Sequence, residues 1–281
     1  MANARTKRMI VRTIVLYFPL TAILLYILFP IYWSLITAFK PDSDIISRPV
    51  SYFPPAFTFN NFIVAWNNVG FSNYFVNSMI VSASVLVGCV VFAILVAYPL
   101  TRFQFKGRKV VFIILLCTQF LPMAMMIIPL FMIFKSLHLI DSLASVIFAT
   151  IAFKLPFVAI LMVGFMSKIP VEIEEAAMMD GCNRMQSLFR IIVPILLPGI
   201  VAAGSFAFIY AWKEYLYTLM FINSPAKLTI SVGLGAMMSE YSISYGLLAA
   251  GCIIAIVPPI LLFSYIQRFL VQGMASGAIK G

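Results

Sequence analysis

The sequence predicts an all-α polytopic membrane protein with six transmembrane helices and both termini in the cytoplasm. Three observations predict this class. Of the 281 residues, 63% are hydrophobic and only 10% are charged, with a mean hydropathy of +1.06; soluble domains carry about 25% charged residues. Six apolar runs lie at about 14–37, 74–100, 110–134, 142–166, 199–221 and 243–267, each longer than the roughly 20 residues that cross a bilayer core as a helix. The basic residues between the runs fall unequally on the two sides, which is the signal that orients a membrane protein.

The elements follow in order. The N-terminus carries Arg5, Lys7, Arg8 and Arg12 ahead of an apolar run. That run continues past the length of a signal-peptide core and lacks a small-residue cleavage site, so it reads as a retained first span. The connection at roughly 38–73 holds KPDSD, RPVSYFPP and FTFNNF; proline and asparagine break it, and its aromatics suit the membrane–water interface. It reads as an interfacial loop, with a docking surface for an external partner as the alternative. Arg102, Lys106, Arg108 and Lys109 separate the second and third runs, Lys168, Arg184 and Arg190 the fourth and fifth, and Arg268 and Lys280 follow the sixth. With the N-terminal four they make thirteen, against Lys40, Arg48, Lys135 and Lys227 on the opposite side. The larger set marks the cytoplasm. Lipid cannot satisfy exposed backbone groups, which selects helices for runs that show no strand alternation. Prolines fall in or near the spans at 19, 30, 99, 122, 129, 156, 258 and 259, tolerated where neighbouring helices or water satisfy the freed carbonyls.

Composition excludes several functions. A net charge of +10 in a soluble protein would point to nucleic acid; here it is the orientation signal, and no nucleic-acid partner is expected. Cys89, Cys117, Cys182 and Cys252 are far apart, and His138 is the only histidine, so neither a disulfide framework nor a metal cluster is indicated. No phosphate loop of the form G-x-x-x-x-G-K-[ST] occurs, so the chain cannot hydrolyse ATP through such a loop itself.

The segment from Ile169 to Pro198 stands apart from its apolar flanks. Pro170 can open a helix, and Glu172, Glu174 and Glu175 place negative charge in its first turns, where the helix dipole is positive. Ala176, Ala177, Met178 and Met179 continue it; Asp180-Gly181 stops it, with glycine free to take a left-handed conformation. Asn183 can cap a second helix over 184–192, which ends toward Pro194 and Pro198. Two short helices joined by a tight turn are either an ordinary charged loop or a knob that docks into another protein, with alanines for close approach and methionines for adaptable packing.

The residues resemble a known pattern. Glu175-Ala176-Ala177, then Gly181, then Ile191 and Pro194, is similar to the EAA motif, EAA–x3–G–x9–I–x–L–P, of permease subunits in binding-protein-dependent ATP-binding cassette (ABC) importers. Val193 stands where that motif has leucine. Asn77-Ser78, the stretch Ala97-Tyr98-Pro99-Leu100-Thr101-Arg102-Phe103, and the tail Gln267 to Gly281 resemble the carbohydrate-importing branch, the tail being similar to the G-type subunit of maltose-like permeases. The resemblance implies a type I importer transmembrane domain. It divides the chain into a cytoplasmic N-terminus (1–13), a first helix with an outer loop (14–72), a core domain (73–267) containing the coupling segment 170–198, and a cytoplasmic tail (268–281).

It also implies roles. Glu174, Glu175, Ala176, Ala177, Asp180, Gly181, Ile191 and Pro194 would form the contact to an ATPase, with Glu175 as its polar contact and Gly181 as the turn. Gly273, Gly277, Lys280 and Gly281 would lie near it. The implied partners are a sister permease in a heterodimer, two cytoplasmic ATP-binding cassette subunits that hold ATP and magnesium, an extracytoplasmic solute-binding protein, a carbohydrate substrate and the lipid bilayer of the cytoplasmic (inner) membrane. The chain itself would hold no cofactor and would be a transport subunit rather than an enzyme.

Three ionisable residues sit within spans: Lys154 in the fourth, Lys213 and Glu214 in the fifth. Charges at that depth usually face protein interior or water, although lysine also snorkels to the interface. Together with Trp212 and Tyr215 they are the candidate lining of a translocation pathway. Trp212-Lys213-Glu214-Tyr215 resembles a W-N-E-F pattern of the same family, with lysine in place of asparagine and tyrosine in place of phenylalanine. Two lysines would favour an acidic sugar, while Trp212, Tyr215 and Tyr217 either stack on sugar rings or fill helix contacts. An ion-gradient-driven secondary transporter of a small polar solute is the competing reading; a membrane enzyme would need an acid pair or metal ligands that the spans do not display.

Overall fold

The computed structural model describes residues 12–54, 56–238 and 243–278, with side chains through Gln267. Among the described residues every regular element is helical. The main helices are α1 (Phe18–Ala38), α2 (Asn60–Asn67), α3 (Phe71–Arg102), α4 (Arg108–Cys117), α5 (Ile127–Ser136), α6 (Leu143–Met166), α7 (Val171–Met179), α8 (Arg184–Ser187), α9 (Leu197–Trp212), α10 (Leu216–Phe221), α11 (Ile230–Met237) and α12 (Tyr245–Ala278). Among the described residues four stretches are long and apolar enough to cross a membrane, Thr13–Ala38, Phe71–Arg102, Leu143–Met166 and Tyr245–Gln267, and two bent pairs raise the number to six if each counts as one span.

The third and fifth of the expected runs are interrupted. The third run is split between Arg108–Phe120 and Met123–Ser136, which meet at 99°. Pro122 has no N–H to donate and disfavours helical backbone at the residue before it; Leu121 sits in the extended region at φ −72, ψ 123. The second pair, Arg184–Ile195 and Leu197–Trp212, is bent by 79°, so α9 continues, around a corner, the short helix expected after Asn183. The fifth run, expected over 199–221, is broken at Lys213–Tyr215 between α9 and α10. By contrast, Pro30, Pro99, Pro156, Pro258 and Pro259 lie inside continuous helices.

The chain forms two compact units: Met1–Phe71 with Leu234–Ile256, and Ser72–Gly233 with Val257–Gly281. In the first, Asn61 does the organising. Its buried amide donates to the carbonyls of Ala38 (2.9 Å) and Lys40 (2.8 Å), groups left open where α1 ends. Ala38, Ala65, Ala249 and Ala250 form the small core there. The stretch expected as an interfacial loop is pinned by aromatic contacts, Phe39 lying 5.0–6.2 Å from Phe57, Phe59 and Phe62.

The second unit holds the larger core, built from rows at helical spacing. Val81, Val85, Cys89, Ala93 and Ala97 form a buried stripe on α3, and Ala203, Ala207 and Ala211 one on α9. Small residues let helix backbones approach closely where lipid offers no hydrophobic drive. A Cβ added at Gly199 would stand 2.6 Å from the Phe165 ring of α6, and one at Gly204 would stand 3.1 Å from Val90 of α3. α9 therefore lies against both helices. At the loop end of this unit Asp141 accepts from the backbone N–H groups of Asn223 and Ser224, from the Ser224 hydroxyl (2.6 Å) and from Lys227 (2.9 Å). The Ser224 hydroxyl leads the contacts that hold this carboxyl well below the usual carboxylate range.

The close approach of α9 to α6 makes a size prediction. Gly199→Ala should destabilise the solubilised protein by about 1–3 kcal/mol through overpacking, because the atoms it meets are the root of the Phe165 side chain and not a flexible tip. Gly164→Ala, with open space around it, should not. Thermal melts of the two variants check this; equal melting temperatures would contradict it.

Candidate functional site

The charged segment after α6 builds its site from local rules. Pro170 precedes α7, and Glu172 and Glu174 occupy its first turn. The helix ends in a Schellman pattern: Gly181 N–H donates to Met178 O (3.1 Å) and Cys182 N–H to Ala177 O (3.0 Å). Gly181 has φ +91 with open space around its Cα, so glycine is required there by conformation and not by crowding. Asn183 then caps α8 in a reciprocal box with Gln186, both bonds at 2.9 Å. The expected two helices and turn are present, with a π-helical turn over Leu188–Ile192 continuing the second.

What sequence could not assign is which acid faces where. Glu174 and Ala177 are buried, one turn apart, while Glu175, Ala176, Met179 and Asp180 are exposed. Glu174, grouped on sequence with the docking residues, turns inward: its Oε2 lies 3.0 Å from Arg102 Nε, and Oε1 accepts a short hydrogen bond from the Tyr98 hydroxyl. Both side chains of the ion pair are at most 3% exposed. Arg102 also donates from Nη2 to the Ile169 carbonyl at 3.1 Å. Tyr98 and Arg102 sit four residues apart on the last turns of α3, so one helix end grips the entry to α7. Arg184 lies over the Phe103 ring (5.0 Å), which meets Tyr98 edge-on. Leu188 and Ile192 anchor the second arm in the core; Ile191 is half-buried and Pro194 exposed.

The outer surface of this segment is apolar as well as charged. Met179 is 89% exposed, and Ile173, Met185 and Phe189 are also exposed. Gly273 and Gly277 lie within α12, whereas Lys280 and Gly281 fall outside the described residues.

The intramembrane candidates separate into two groups. Glu214 is 4% exposed and binds locally: Oε1 accepts from Tyr217 N–H (2.6 Å), and Oε2 accepts from the Thr218 N–H and hydroxyl (3.0 Å each). It supplies the open amides of α10 across the helix break. Trp212 is likewise buried, stacked on Phe208 (5.9 Å) and edge-on to Phe75 (5.6 Å). Tyr215 is exposed at the break. Lys154 and Lys213, in contrast, line one cavity of about 210 Å³ with Phe157, Phe206 and Tyr210. The Lys154 ammonium lies 3.7 Å from the Tyr210 ring centroid and 5.1 Å from that of Phe153. Nothing in the amino-acid pattern singles out Tyr210 or Phe206 as partners, because tyrosine and phenylalanine are common throughout the spans. Among the described residues, no group of three or more His, Cys, Asp or Glu side chains is placed to hold a metal.

Comparisons with known proteins extend this geometry. Residues 89–276 match the family described as "Binding-protein-dependent transport system inner membrane component". The diacetylchitobiose uptake system permease protein DasC of Streptomyces coelicolor is 35% identical over 263 residues, covering 93% of this chain and 95% of that protein. The sulfoquinovosyl glycerol transport system permease protein SmoH of Agrobacterium fabrum is 32% identical, covering 90% and 89%. The melibiose/raffinose/stachyose import permease protein MelC of Bacillus subtilis is 31% identical over the whole of both chains. In fold, the chain is similar to a chain of a bacterial ABC transporter involved in the import of the acidic polysaccharide alginate, with a TM-score of 0.80, 22% identity, and coverage of 94% and 97%.

The buried ion pair predicts an ordering of variants. Arg102→Met leaves the Glu174 carboxylate buried without its cation and should cost about 3–5 kcal/mol. Arg102→Met combined with Glu174→Met removes both charges and should recover most of that loss. Thermal melting with protease protection of 170–198 reads the effect; a double variant no more stable than the single one would contradict the assignment.

Proposed function

The chain belongs to the family of binding-protein-dependent transport system inner membrane components, and from that premise we propose that it forms half of the transmembrane pathway of an ATP-driven carbohydrate importer. It is a multi-pass transport subunit of the inner membrane. The sugar reading rests on its relatives, whose names specify diacetylchitobiose, sulfoquinovosyl glycerol and melibiose/raffinose/stachyose, each of them a glycoside. An importer of this kind works with an ATPase and a solute-binding protein. In the finer reading, two cytoplasmic ATPase subunits bind ATP and magnesium, and a sister permease completes the pathway as a heterodimer, with this chain in the G-type place. Family membership weighs against an ion-gradient-driven transporter, which would need neither a binding protein nor an ATPase.

The observation that carries the coupling role is the knob at 170–198. In this reading it lies in the cytoplasm with both termini, and its exposed Met179, Ala176 and Glu175 enter a cleft of the ATPase. Adaptable methionine and small alanine suit a surface that must stay packed while its partner moves. Glu175 supplies the polar contact, and Asp180, Gly181, Ile191 and Pro194 shape the two arms. Glu174 acts from behind as a positioning residue. The link from Glu174 to Arg102 ties the knob to the end of α3, so a displacement of the knob is passed to a helix that spans the membrane. The segments 1–13, 14–72, 73–267 and 268–281 then serve as N-terminal arm, first span with outer loop, core domain and tail, with Gly273, Gly277, Lys280 and Gly281 near the ATPase.

Conformation at Gly181 gives the test. Gly181→Val should weaken co-purification of the ATPase or uncouple hydrolysis from uptake by about tenfold, since a left-handed position costs an L-residue roughly 1–2 kcal/mol. Gly181→Asn should retain more of both, because asparagine tolerates that region. The measurement is substrate-stimulated ATP hydrolysis and uptake by the assembled complex at matched expression. Equal behaviour of the two variants, or unchanged coupling in Gly181→Val, would contradict the role of the turn.

A further inference from the structure

The cavity between α6 and α9 contains an electrostatic imbalance. Lys154 and Lys213 both line it, and none of its other lining side chains is acidic. Among the described residues neither lysine takes part in an ion pair; the two ion pairs present are Arg102–Glu174 and Lys227–Asp141. Glu214 follows Lys213 in the chain but is turned away, its carboxylate occupied by the Tyr217 and Thr218 groups. Charges at membrane depth are costly and are normally paired. Tyr210 and Phe153 hold the Lys154 ammonium on their faces, which orients it by cation–π attraction but does not neutralise it.

We infer that Lys154 and Lys213 form a subsite for the negatively charged group of an acidic carbohydrate: a carboxylate, sulfonate or phosphate carried on the sugar. The inference rests on the carbohydrate-permease reading and narrows its substrate class. The rings supply the second half of the recognition. A sugar presents C–H faces that pack on aromatic side chains, and Phe157, Phe206 and Tyr210 line the space beside the two ammonium groups. At about 210 Å³ the cavity is smaller than the roughly 300–1,000 Å³ of a complete small-molecule site. It therefore takes one charged residue of the cargo and leaves the remainder to surfaces outside it. Two cations that repel each other in the empty cavity become favourable once an anion enters, so the subsite gains most from charged cargo and little from a neutral sugar of the same shape.

The test uses the complete complex, with its ATPase and binding protein, in proteoliposomes. Uptake is measured for matched pairs of probes: digalacturonate against galactobiose, sulfoquinovose against quinovose, and glucose 6-phosphate against glucose. The wild type should favour the acidic member of at least one pair, and Lys154→Gln should reduce that preference about tenfold or more, the worth of a hydrogen bond to a charged group. Lys154→Arg, which keeps the charge, should preserve the preference and guards against a variant that merely fails to assemble. Lys213→Gln should shift it in the same direction by a smaller factor. Neutral sugars carried as well as acidic ones, with Lys154→Gln affecting both alike, would overturn the subsite and leave the carbohydrate permease standing. Uptake of no sugar at all would remove the carbohydrate reading and the subsite with it. Repeating the series in liposomes with and without anionic lipid separates the sources of the anion: a Lys154→Gln effect that appears only with anionic lipid would assign the lysines to a lipid headgroup and overturn the inference.

Discussion

A carboxylate removed from water needs a cation and hydrogen-bond donors around it, and Glu174 finds all of them on one helix end. Arg102 supplies the charge and Tyr98 the second donor, both from the last turns of α3. This arrangement fixes the orientation of α7. With Glu174 inward, Ala177 follows it into the interior, and Glu175, Ala176 and Met179 are turned out. A buried ion pair is weak evidence for stability, since well-packed apolar residues often do as well. Here it specifies geometry: the Arg102 bond to the Ile169 carbonyl holds the entry of α7 as well as its side chain.

The same logic of satisfying exposed backbone runs through the membrane-spanning part. α9 stops at Trp212, and the three-residue break before α10 would leave amides open; Glu214 closes them. Asn61 does the equivalent at the end of α1 by donating to two carbonyls. Both of these helix ends therefore have a polar side chain on them, as irregular backbone at membrane depth requires. The consequence for function is a division among the intramembrane polar groups. Those that serve helix ends are withdrawn into the packing, and the two lysines that serve none remain at a cavity.

Much of this was legible in the sequence. Apolar runs and the basic residues between them located the helices, and the chemistry of Pro170, Gly181 and Asn183 described the knob down to its caps. The remainder depended on partners far away in the chain. Glu174 and Glu175 are indistinguishable as letters; only Arg102, 72 residues earlier, separates their roles. Pro122 breaks its run while Pro99 and Pro156 sit inside helices, a difference that the proline letter alone does not carry. An acid in a span is usually functional, but the capping role of Glu214 depends on a helix break that the apolar pattern does not reveal.

In the proposed importer the segment 170–198 is the surface that meets the ATPase, held in place by its inward acid Glu174. Site-directed cross-linking in the assembled complex checks this contact, in a chain whose four native cysteines are replaced by serine. Met179→Cys, at a position 89% exposed, is predicted to cross-link to the ATPase subunit in high yield, and Ala226→Cys, near the Asp141 clamp, is predicted to give none. Cross-linking from position 226 in preference to 179 would contradict both the docking assignment and the orientation of the chain in the membrane.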